Sequence, residues 1–144
     1  MHTVLEEELE TELVLSPEHG IPLAARVSYR TDDPYAVRFT FHLGDGTPVD
    51  WTFARELLME GVRRPCGQGD VRVWPMLSRG RAVACVALVS PDGEALLRVP
   101  LRKLREWLDR TLQVVPEGQE GQWLGLDEAL RVLLAPAAGE EGAP

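Results

Sequence analysis

The sequence is poor in the residues from which the common chemical sites are built. Its 144 residues hold only two cysteines, Cys66 and Cys85, and three histidines, His2, His19 and His42. The cysteines have no neighbouring Cys or His at ligand spacing, which excludes a disulfide framework and the usual zinc patterns. The longest apolar run is residues 82–89, far short of the roughly 20 residues that a membrane-crossing helix needs. The first residues carry a Glu-rich run where a secretory signal has a basic and then an apolar region. The cytosol is therefore the expected address.

Catalytic arrangements are equally scarce. Nucleophilic catalysis needs a base within reach of its nucleophile. His2 sits at the chain end, His19 precedes a glycine in a turn, and His42 lies on the polar side of a strand pattern beside Thr40. There is no Gly-x-Ser-x-Gly elbow, and no histidine lies near Cys66 in sequence. Cys85, within Ala-Val-Ala-Cys-Val-Ala-Leu-Val, reads as a small core hydrophobe. The run Gly67-Gln68-Gly69-Asp70 superficially resembles a phosphate loop. A nucleotide fingerprint, however, places its glycines between a strand and a helix, and here the order is helix, loop, strand. The glutamates at 6, 8, 10 and 12 share one side of a strand pattern and read as a solvated acidic edge that discourages edge-to-edge pairing. The reading is of a protein that is not an enzyme, with no catalytic residue, no cofactor and no metal.

What is present is a globular composition, 44% hydrophobic, with a formal net charge of −8. That sign argues against a general binder of nucleic acid or anionic membrane. The charge is unevenly spread. Residues 1–53 hold 3 basic and 10 acidic side chains, residues 54–110 hold 11 and 7, and residues 111–144 hold 1 and 6. A mildly basic middle between acidic ends invites self-association or a charged partner.

The hydrophobic periodicity predicts seven strands and two main helices. Residues 4–15 place Leu5, Leu9, Leu13 and Leu15 on one parity against the glutamates, although the leucines also fit a helical stripe. Residues 23–29 alternate. So do Tyr35, Val37, Phe39, Phe41 and Leu43 against Ala36, Arg38, Thr40 and His42. Gly44-Asp45-Gly46-Thr47 predicts a hairpin into Val49, Trp51 and Phe53. A helix over 54–62 follows, with Ala54, Leu57, Leu58 and Gly61 or Val62 on its apolar side. Three more strands are expected near 71–76, 82–89 and 94–99, the middle one apolar on both parities. Pro100 then opens a helix with the stripe Leu101, Leu104, Trp107, Leu108 and Leu112. A short helix near 126–134 and a disordered tail at 136–144 complete the reading. It describes an α+β domain over residues 1–135 with helices after strands 4 and 7.

The basic side chains Arg98, Arg102, Lys103, Arg105 and Arg110, with Trp107, raise single-stranded nucleic-acid binding as an alternative, since bases stack on aromatics beside positive grooves. Against it stand the net charge and the place of Trp107 in an apolar stripe.

Several segments together resemble a known family. Residues 33–42 (Asp-Pro-Tyr-Ala-Val-Arg-Phe-Thr-Phe-His), 51–58 (Trp-Thr-Phe-Ala-Arg-Glu-Leu-Leu) and 69–75 (Gly-Asp-Val-Arg-Val-Trp-Pro) are similar to signature segments of the SsgA-like proteins of mycelial and sporulating actinobacteria. Ser90-Pro-Asp-Gly-Glu-Ala-Leu-Leu97, the Pro116-Glu-Gly turn and Leu126-Asp-Glu-Ala-Leu130 fit the same pattern. The resemblance spans about residues 4–134 and includes the uncommon residues Trp51, Trp74 and Pro75; the 136–144 tail departs from it. It implies a whirly-type fold, two-sheet or barrel-like, assembled as a homotrimer. It also implies a non-enzymatic role in cell division and sporulation septation at the septum, where members of the family help to place the tubulin-like protein FtsZ. The expected partners are FtsZ and other SsgA-like division proteins. Because FtsZ-type proteins are acidic, the expected contacts are Arg63, Arg64 and Gln68 in the loop and Arg102, Lys103 and Arg105 on the second long helix.

Overall fold

Odd-numbered residues of the first half point inward, and this parity organises the fold. The computed structural model describes residues 2–42, 44, 46–123 and 133. Strand β1 (Val4–Ser16) pairs antiparallel with β2 (His19–Arg30) along nearly its whole length, with Leu9 opposite Ala25 and Thr11 opposite Leu23. Those four side chains are buried, while Glu6, Glu8 and Glu10 are exposed. Leu5, Leu9 and Leu13 thus belong to a strand and not to a helical stripe. Leu15, at the strand end and beyond the core, is 63% exposed. The other parity of β1 faces water, and there Arg26 Nε donates to a Glu8 carboxylate oxygen at 2.8 Å.

Strand β3 (Ala36–Phe41) and β4 (Val49–Ala54) continue the meander, with Val37 opposite Phe53. Buried Phe39 packs edge-on against Phe53, ring centroids 5.1 Å apart. Tyr35 was expected to share the inner face but precedes the strand and is 55% exposed. Leu43 lies outside the described residues. Helix α1 (Arg55–Gly61) leaves β4 directly. Its inner face is Arg55, Leu58, Gly61 and Val62, and not the expected one through Ala54, which is exposed. Gly61 lies hard against the next strand: a methyl there would sit 2.5 Å from Val73 Cβ.

Strands β5 (Val71–Ser78), β6 (Arg81–Ser90) and β7 (Gly93–Pro100) form a second meander. On β6, Ala84, Cys85 and Val86 are all buried, so both faces of that strand are covered, as its composition predicts. Helix α2 (Leu101–Val114) starts where Pro100 ends β7 and buries Leu104, Trp107, Leu108 and Thr111. The helix lies across β1, β7 and β6, while α1 packs on β5. A 3-10 turn, Glu120–Trp123, follows. The helix expected near 126–134 and the boundary at 135–136 lie outside the described residues, Leu133 excepted.

The seven strands and the helices after strands 4 and 7 stand as expected, but two details are corrected. The strands make one sheet, ordered β4-β3-β2-β1-β7-β6-β5, in place of the two-sheet or barrel-like arrangement expected, and the sheet does not close, since edge strands β4 and β5 do not pair. Strand β1 is central and not an acidic edge. It joins the two meanders through a short seam, Glu12 opposite Arg98 and Leu13 opposite Leu97. Its glutamates are therefore placed to meet arginines from other elements.

Candidate partner interface

The six residues singled out from charge do not form one patch. Arg63, at the end of α1, and Arg105, on α2, come together on the rim of a groove of about 140 Å³ floored by Met59, Val62, Leu108 and Leu112. Asp109 shares that rim. Arg64 instead folds back on Glu60 one helical turn earlier. Arg102 pairs with Glu106 at 3.2 Å in the same i,i+4 fashion, with both side chains largely in water. Lys103 is exposed on the outer side of α2. Gln68 lies elsewhere, in an open hollow with Pro65, Arg72 and Trp74. The groove therefore has two cationic side chains delivered by different helices over an apolar floor. That arrangement can clasp an acidic segment carrying an apolar residue.

The nucleic-acid constellation is dispersed in the fold. Trp107 is fully buried and offers no face to a base. Arg98 is buried and pairs with Glu12 at 3.1 Å, and Arg110 pairs with Glu7. Glutamates of β1 thus hold two of the five cations, and Glu106 a third.

The most deeply placed cation is one that charge patterning missed. Arg55 is 1% exposed. Its guanidinium donates to the Thr111 carbonyl at 3.2 Å and to a Glu120 carboxylate oxygen at 2.8 Å. It also lies 4.8 Å from the centre of the Tyr29 ring. This one side chain ties the start of α1 to the end of α2, to the Glu120 turn and to β2. The Tyr29 hydroxyl donates to the Pro34 carbonyl at 2.8 Å, and burial pushes its pKa up to about 12. The hydrogen bond from Arg55 holds the Glu120 carboxyl below the ordinary glutamate range. The signal was present in the sequence: Arg55, Leu58 and Val62 follow i, i+3, i+7 spacing, the core side of a helix.

The groups weighed for chemistry are scattered. His19 and His42 are exposed, and the Ser16 hydroxyl lies 3.4 Å from His19 Nδ1. Cys66 is half-buried, while burial raises the thiol pKa of Cys85. Among the described residues no three His, Cys, Asp or Glu side chains cluster as metal ligands. No described helix is long and apolar enough to cross a membrane.

The chain is an α+β domain, one antiparallel sheet carrying two helices with a charged groove at their junction. Residues 23–120 match the family model described as Streptomyces sporulation and cell division protein, SsgA. The chain is 50% identical over 135 residues to the sporulation-specific cell division protein SsgB of Streptomyces coelicolor, covering 94% of this chain and 98% of that protein. A solved structure from work on SsgB mutations that correlate with longitudinal cell division during sporulation of Streptomyces coelicolor superimposes with a TM-score of 0.84. It is 51% identical and covers 86% of this chain and 98% of its own. The crystal structure of an SsgA-like sporulation-specific cell division protein from Thermobifida fusca gives a TM-score of 0.80 at 40% identity, over 92% and 96% of the two chains. This chain belongs to the SsgA family of sporulation and cell division proteins, and its resemblance is to the SsgB members.

Proposed function

We propose that the protein organises division septa without catalysis, by holding FtsZ at the septum through contacts repeated over a homo-oligomer, a trimer in our reading. The observation that carries the reading is the 50% identity with SsgB along 94% of the chain. The groove between Arg63 and Arg105 is where we place the contact. Each copy would supply a weak, mainly electrostatic clasp. Several copies on one filament gain about 10²- to 10⁴-fold in avidity over a single contact. Exposed arginines suit such a role because their attraction is screened beyond about 8 Å at physiological salt and favours reversible docking.

Co-sedimentation with FtsZ polymers at near-physiological salt tests this directly. The wild-type chain is expected in the pellet, and the Arg63→Ala/Arg105→Ala double variant largely in the supernatant. A wild-type chain that neither pellets with FtsZ nor alters its assembly sinks the recruitment reading.

A further inference from the structure

The seam between the two meanders holds a second cationic site that shares no residue with the α1–α2 groove. A cleft of about 530 Å³ opens there on the sheet face away from α2, lined by Arg79, Arg81, Arg98, Glu10, Glu12 and Val83 among others. Its origin is topological. One cross-strand row runs Trp74, Cys85, Arg98, Glu12 across β5, β6, β7 and β1. Arg98 is thereby placed in the outer surface of the sheet but buried to 9% exposure. Its terminal Nη1 donates to Glu12, while its Nε is buried without a hydrogen-bond partner. A buried guanidinium N–H left unpaired carries a desolvation cost that a bound acceptor would remove.

The turn beside the cleft is unusual in its composition. The β5–β6 hairpin closes through Arg79 and Gly80, both with positive φ, 54° and 77°. Gly, Asn and Asp are the residues that accept this backbone cheaply. Arg79 tolerates it while its guanidinium donates to the Glu18 carbonyl at 2.8 Å and reaches Glu12 at 3.7 Å. Arg81, on the other side of the turn, is exposed and pairs with no carboxylate among the described residues.

We propose that this cleft binds carboxylate side chains of an acidic protein segment, with Arg81 as the open position and Arg79 and Arg98 as shared ones. The proposal rests on the reading of the chain as a protein-binding module, but not on FtsZ as the partner. The internal Glu12 carboxylate is the template: it already bridges Arg79 and Arg98, so the geometry there accepts a carboxylate. Three arginines against two glutamates leave the cleft cationic in a chain of net charge −8. Glu10 and Glu12 on one wall stand against the rigid, closely spaced phosphates of nucleic acid, whereas a side-chain carboxylate on a flexible stem can enter between the arginines. Val83, Ala82 and Pro100 supply apolar contact for the rest of a peptide.

The test is fluorescence anisotropy of a fluorescein-labelled oligo-glutamate peptide with the full chain, beside an oligo-glutamine peptide, inorganic phosphate and single-stranded DNA as competitors. Arg81→Ala, a change at an exposed turn, is expected to weaken binding about tenfold, as for loss of a charge-assisted hydrogen bond. Glu12→Gln is expected to tighten binding, because it removes the internal competitor. A purely structural Glu12 would not give that direction. The Arg98 Nε–Hε resonance should shift on titration. Equal binding of oligo-glutamine, equal competition by phosphate or DNA, or wild-type affinity in Arg81→Ala would each overturn the proposal. Should Glu12→Gln fail to fold, Arg81→Ala decides alone. Failure here with FtsZ co-sedimentation intact removes the cleft and leaves the septal reading standing.

Discussion

The junction around Arg55 and the rim around Arg63 and Arg105 lie at opposite ends of α1, and they use the same side-chain type for opposite ends. Arg55 is buried and its terminal nitrogens and ring-facing side are held by neighbours from three separate elements, while its Nε has no hydrogen-bond partner. Arg63 and Arg105 stand exposed over an apolar groove, with Asp109 as the carboxylate beside them. A guanidinium taken out of water must be paired, or it costs several kcal/mol. One left in water contributes little to stability but remains available to a partner. Around α1, cationic charge thus divides by burial into a group that holds the helices together and groups that can hold something else.

The largest expected effect comes from stranding the buried charge. Glu120→Ala leaves Arg55 buried without its carboxylate and should cost about 3–5 kcal/mol in a denaturant titration. Replacing both residues, as Arg55→Met/Glu120→Ala, removes the stranded charge and should recover much of that loss. A double variant as unstable as Glu120→Ala would show that the junction is held by packing and not by the ion pair. The pH dependence has a definite sign. Glu120 is held below its ordinary pKa by Arg55, so its contribution is present above the unfolded value and is lost as pH falls through the lowered one. The acid limb of a stability–pH curve should therefore be shallower in Glu120→Gln than in the wild-type protein.

A smaller loss is expected at the other side of the same guanidinium. Tyr29→Phe keeps the ring against Arg55 but removes the hydroxyl that donates to the Pro34 carbonyl, for about 1 kcal/mol. The folded Tyr29 pKa is raised from 10.0 to about 12. Its contribution is therefore full below pH 10 and is lost as pH rises through 12. Thermal melts from pH 9 upward should show this alkaline loss in the wild-type chain and less of it in Tyr29→Phe. An identical alkaline limb in the two proteins would assign the loss to other groups.

The comparison also marks what the sequence makes legible. Alternation in residues 36–41 and the α2 stripe through Trp107 followed from period alone, because each face meets either core or water. The family was legible from segments such as 51–58, in which Phe53, Arg55 and Leu58 are all buried. Arg55 is invisible to charge patterning, which counts cations without their burial, although its helical spacing puts it on the core side. The place of β1 was hidden for a different reason. Whether a strand is central depends on the distant pairing of Glu12 with Arg98, and local alternation carries no information about register with a strand 86 positions away. The Arg63–Arg105 groove likewise needs the crossing of two helices, which no local pattern records.

The smallest stability effect belongs to the rim, and there the division by burial can be broken most cleanly. Arg63→Ala/Arg105→Ala removes two exposed guanidiniums, for which no carboxylate partner is present among the described residues in the salt bridges formed. Its melting curve should match the wild-type one to within about 0.5 kcal/mol, while its retention on FtsZ polymers falls. Raising the salt concentration should mimic the variant on the wild-type chain, since screening acts on exposed charges and barely on Arg55. A double variant that melts early would place these arginines with Arg55 as fold-holding groups. One that melts normally and still pellets with FtsZ would move the contact away from this groove, and the arginine-lined seam at Arg81 would then be the next surface to mutate in the same assay.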